Sequence, residues 1–98
     1  MNNLHLISQN MSRPELETKL KLLAQHGDNV LFIGEGVSSL LGNGLKNTFK
    51  EFGTKQIFAL ECDCTCRGIS ALLNGAAELV DDTEMVFLCA QAKQIISW

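Results

Sequence analysis

The chain has no tyrosine, one proline and one tryptophan, and only 19% of its residues are charged. Nor does it contain an apolar run near the roughly 18 residues that a membrane-spanning helix needs, so no membrane association is expected. Neither sign of charge dominates: eight Lys and Arg against eleven Asp and Glu give a net charge of −3. The basic residues (Arg13, Lys19, Lys21, Lys46, Lys50, Lys55, Arg67, Lys93) are scattered along the chain. That pattern lacks the concentrated positive footprint of a nucleic-acid binder, and direct nucleic-acid binding is not expected. Met1 to Asn10 shows no basic segment followed by an apolar block, so no secretory signal is read and a cytoplasmic location is expected. In that reducing compartment the four cysteines are expected as free thiols rather than as a disulfide frame.

What is present is an alternation of short apolar runs and helical patterns within 98 residues, read as one domain over 1–98. Leu4 to Ile7 reads as a first strand. Ser12-Arg13-Pro14-Glu15 has the Ser-x-x-Glu order and early proline of a helix start, and Leu16, Leu20 and Leu23 continue at helical spacing to Gln25, with Gly27 as the stop. Val30 to Ile33 and Gln56 to Leu60 are unbroken apolar runs, the character of strands buried on both faces at the centre of a parallel sheet. Between them, Val37 to Leu41 predicts a turn of helix. Gly42-Asn43-Gly44 then breaks the chain, and Leu45, Phe49 and Phe52 predict a helix ending at Gly53. Glu61 to Thr65 reads as a polar loop, Arg67 to Leu73 as a short helix stopped by Gly75, and Ala77 to Val80 as a fourth strand. Asp81-Asp82-Thr83-Glu84 places a cap and acids at a helix start, followed by a stripe of Met85, Leu88, Cys89 and Ala92. Gln94 to Ser97 reads as a last, edge strand. The repeated strand–helix order predicts an α/β fold: a single, mostly parallel sheet of four to five strands with helices on both faces.

Functional groups in such folds sit on loops after the carboxyl ends of strands. Gly34-Glu35-Gly36-Val37-Ser38-Ser39 follows a strand and resembles a dinucleotide loop, but Ser39 stands in place of the third glycine and Glu35 puts an acid where a pyrophosphate would lie. The competing reading is a tight turn that uses glycine's conformational freedom. Cys62-x-Cys64-x-Cys66 lacks zinc spacing. Its thiols can be sulfur acceptors carrying a persulfide near Arg67, ligands of a soft metal, or small apolar filler near a strand end. His5 and His26 have no acid or nucleophile at readable spacing, and no cofactor is expected.

Taken in order, several short segments resemble the TusB/DsrH family of small sulfur-relay subunits. Leu4-His5 is similar to its opening strand, and Gly27-Asp28, Val30 to Ile33 and Glu35-Gly36-Val37 to its Gly-Asp, apolar strand and Gly-Val segment. Ala59-Leu60, Asp63 and Arg67-Gly68-Ile69 resemble its Ala-Leu, Asp and Arg-Gly-Leu series. Phe87-Leu88 and the closing Ser97-Trp98 resemble its last helix and end. Gly34-Glu35 replaces the usual acid pair. The cysteine that DsrH-type members carry in the first helix region has no counterpart, since Leu16 to Gln25 contains none; in this the chain is nearer to TusB-type members. The resemblance implies a DsrEFH-like fold and a mainly structural role beside C-type and D-type partners, in a hexamer with two copies of each. In that assembly a persulfide on the D-type subunit passes towards 2-thiouridine at the tRNA wobble position. It also implies interface or structural roles for His5, Glu35, Gly36, Asp63, Arg67, Gly68 and Trp98. Trp98 is expected at a subunit contact, with cover for the domain's own core as the alternative.

Overall fold

A computed structural model describes residues 3–23, 27–41, 56–69 and 77–98. Five strands, β1 (Leu4–Ile7), β2 (Asn29–Phe32), β3 (Gln56–Leu60), β4 (Glu78–Val80) and β5 (Ile95–Ser97), form one sheet in the order β4-β3-β2-β1-β5. Every pairing is parallel. The apolar runs at 30–33 and 56–60 therefore lie inside the sheet, with β2 at its centre and β3 between β2 and β4. The parallel order also sets the two ends of the chain side by side, because β5 adds to the free edge of β1.

The pleat divides the core into two. His5, Ile7, Val30, Phe32 and Ala59 point to one face, where Leu16 of helix α1 (Arg13–Leu23), Val37 and Leu40 of a 3-10 helix (Gly34–Leu40) and Cys64 cover them. Leu4, Leu31 and Phe58 point to the other, under Met85, Leu88, Cys89 and Ala92. These four are the stripe read from the sequence, and all but Ala92, the C-cap, lie within the helix Asp82–Gln91. That helix begins with a complete capping box: Glu84 N–H donates to Asp81 Oδ1 at 2.8 Å and Asp81 N–H to Glu84 Oε1 at 3.3 Å.

Two elements depart from the sequence reading. Glu61 to Cys66 is not a loop but helix α2, entered directly from β3; Asp82–Gln91 is then α3. Glu61 and Asp63 put negative charge on α2's first turn, which complements the exposed amides there. Arg67 and Gly68 are not helical; they are the stop. Gly68 has φ +65°. Its N–H bonds Thr65 O at 3.0 Å and Ile69 N–H bonds Cys64 O at 3.1 Å, the paired bonds of a Schellman motif. Ile69 and Cys64 join the same core cluster and close the motif with an apolar contact. The Arg-Gly-apolar triplet is thus a helix terminator. The helix expected around Leu45 to Phe52, the rest of that expected to Leu73, and His26 lie outside the described residues.

Candidate functional site

Two constellations bring together the residues singled out by sequence. The first is buried. His5, in β1, is fully enclosed, and its Nε2 lies 2.8 Å from Asp28 Oδ2. Trp98 Nε1 is 3.1 Å from His5 Nδ1, with the rings edge-on at 84° and 5.6 Å between centroids. An indole N–H can only donate, so His5 Nδ1 is the acceptor, and the ring proton sits on Nε2 and is given to Asp28. Asp28 Oδ1 also accepts the Asn3 N–H at 3.1 Å. Both nitrogens of His5 are thus used internally, and the one lone pair of the ring is engaged by Trp98 rather than free to take a proton from a substrate. The trio is a structural rivet between β1, the approach to β2 and the end of β5. Sequence alone names Asp28 only as a neighbour of Gly27 and gives it no partner. Trp98 is 8% exposed and lies in the chain's own core cluster.

The second constellation lies where β2 and β3 end. Gly34 has φ +52°, and Gly36 passes so close to the Ile7 carbonyl that a Cβ would overlap it. Asp63 Oδ2 accepts the Gly34 N–H at 2.7 Å, tying α2 to the turn. An amide that would have to cradle a phosphate is therefore committed to a carboxylate, and Glu35 is exposed beside it. Ser39 is buried; its hydroxyl accepts the Met11 N–H at 2.7 Å and faces the Gln9 carbonyl at 3.3 Å, fixing the 3-10 helix to the loop after β1. This is the tight-turn reading of the glycine pattern, not the dinucleotide one. Arg67 turns back on α2: Nη1 is 3.4 Å from Asp63 O and 3.8 Å from Asp63 Oδ1. Such a half-exposed i,i+4 pair contributes little to stability by itself.

The three cysteines part company on α2. Cys64 is enclosed in the core, whereas Cys62 and Cys66 are exposed, one turn apart. Burial, and then Asp63, push the Cys64 thiol up, against a smaller opposing effect of Arg67. The Cys66 thiol beside it holds Cys62 up, with smaller contributions from Asp63 and Asp82. Both shifts disfavour the thiolate that sulfur transfer needs. Cys62 and Cys66 line a cleft of about 280 Å³ with Glu61, Thr65, Asp81 and Asp82. Among the described residues no group of three or more His, Cys, Asp or Glu is placed to hold a metal.

The outer side of α3 is also unusual. From Met85 to Ala92 it carries no charge, no residue of the helix is fully buried, and Val86 and Phe87 are 63% and 60% exposed. An uncharged helical stretch with exposed Val and Phe beside its core-facing stripe is normally covered on that side as well.

Comparison with known proteins places these features in context. Residues 10–95 match the family model described as DsrH like protein. The chain is 28% identical over 95 residues to Protein TusB of Sodalis glossinidius (strain morsitans), a match covering 97% of this chain and 99% of that one. In three dimensions it superposes on the crystal structure of the ychN protein from E. coli with a TM-score of 0.68 at 12% identity, over the full length of both chains.

Proposed function

The chain belongs to the DsrH-like family, and from that premise we propose that it is a non-catalytic assembly subunit of a sulfur-relay complex supporting 2-thiolation of the tRNA wobble uridine. The observation that carries this reading is the outer face of α3. Val86 and Phe87 stand in solvent on a stretch of α3, Met85 to Ala92, that carries no charge, a poor arrangement for a lone chain and a suitable one for a docked subunit. His5 and two of the three thiols on α2 point the same way. His5 has no free nitrogen, and the thiols of Cys62 and Cys64 are held protonated. The partners this reading calls for are the C-type and D-type relatives, with the sulfur carried by the D-type subunit.

Co-purification with those two partners tests it. Phe87→Glu places a charge in the core of the proposed contact, where loss of an aromatic anchor costs about 2 kcal/mol or more. Assembly is expected to weaken at least tenfold while the isolated variant melts like the parent, since Phe87 supports little of its own core. Full-strength assembly of that variant would refute the docking face. A second arm addresses chemistry: Cys62→Ser, Cys64→Ala and Cys66→Ser combined are expected to leave tRNA thiolation intact. Loss of thiolation in a folded, assembled variant would replace this reading with that of a sulfur-carrying subunit.

A further inference from the structure

Cys62 and Cys66 are nucleophilic groups that an assembly role leaves unused. They occupy i and i+4 of α2 and share one cleft. Helical positions four apart hold their Cβ atoms about 5–6 Å from each other, whereas a disulfide requires about 3.5–4.5 Å. Direct oxidation therefore demands that α2 unwind, and α2 is fixed at its far end by the Schellman bonds of Gly68 and Ile69. The spacing suits one atom placed between the sulfurs.

The surroundings select that atom. Glu61, Asp63, Asp81 and Asp82 are near the pair, and the carboxylates of Asp63 and Asp82 work against thiolate formation at Cys62. A ligand that replaces the thiol protons without leaving net charge is favoured over one needing two free thiolates. Zinc-like ions require four protein donors or nearly so, and among the described residues no third donor is in place. Trivalent arsenic bearing one organic group brings its third substituent with it and asks the protein for two sulfurs only.

We propose that Cys62 and Cys66 form a two-sulfur binding site for neutral, mono-organic trivalent arsenicals. In the reaction with an arsine oxide, R–As=O, two S–H bonds and the arsenic–oxygen double bond break. Two As–S bonds form, and both protons leave with the oxygen as one water. Nothing is oxidised or reduced, and no charge is left beside the acids. The organic group points into the cleft between α2 and the start of α3.

Phenylarsine oxide is the probe. Intact-mass spectrometry of the full chain is expected to show one phenylarsenic unit in place of two hydrogens, with two fewer thiols open to alkylation. Cys62→Ser and Cys66→Ser are each expected to weaken binding at least about 100-fold, because the second sulfur binds intramolecularly. Cys89→Ser is expected to bind like the parent. Undiminished binding by either of the first two variants would overturn the proposal. So would rapid closure of a Cys62–Cys66 disulfide by diamide in a chain whose helical circular dichroism is unchanged.

Discussion

Replacing Trp98 asks whether a terminal residue anchors the fold of its own chain. The side chain is 8% exposed, its N–H bonds His5 Nδ1 at 3.1 Å, and its backbone N–H bonds Leu6 O at 2.9 Å. Removing a buried tryptophan side chain typically costs about 3–5 kcal/mol. Here β5 is a three-residue edge strand that can partly collapse into the gap, so Trp98→Ala is expected at the lower end, about 3 kcal/mol. A domain of this size holds about 5–15 kcal/mol in total, so that loss is a large share. Trp98→Phe separates the two contributions. It keeps most of the apolar burial but deprives His5 Nδ1 of its donor in a fully enclosed place, a penalty of about 1–3 kcal/mol. Thermal melts of the isolated chain, followed by circular dichroism, read both variants: each kcal/mol lowers Tm by about 4–8 °C in a domain this small. The reasoning also requires coupling, so Asp28→Asn combined with Trp98→Phe should cost less than the sum of the two single changes, because both act through one imidazole. A Trp98→Ala chain that melts at the parent temperature would refute the argument. If that chain also failed to assemble with partners, the residue would be a subunit anchor after all.

Gly36→Ala drives a methyl group into the Ile7 carbonyl, where backbone rather than a flexible side chain must give way; a loss of about 1–3 kcal/mol in urea denaturation is expected, and a neutral result would show that the turn relaxes. Thiol titration follows from the raised pKa values of Cys62 and Cys64. A raised pKa leaves less thiolate at any given pH, so iodoacetamide labelling of Cys62 should rise with pH later than that of free cysteine. In Cys66→Ser the Cys62 profile should move back to lower pH, since Cys66 is the largest cause of the shift; an unmoved profile would locate the cause elsewhere.

The sheet, the position of the strands at 30–33 and 56–60, and the capped helix α3 with its stripe were all legible in order along the chain. Each is written within a few neighbouring residues: an apolar run too short for a helix, an Asp-x-x-Glu box, a period near four. Tertiary structure decided the rest. Gly68 ends α2, because what matters is the left-handed residue whose neighbours can close both Schellman bonds onto a packed Cys64–Ile69 contact. Asp28, His5 and Trp98 lie 23 and 93 positions apart in pairs, and only the parallel order that sets β5 beside β1 brings them into contact. The cysteine triplet shows the same division. As a sequence it is three equivalent thiols at alternate positions, which an extended loop would present together. Wound at about 100° per residue, α2 carries Cys62 and Cys66 to the outside and turns Cys64 into the core.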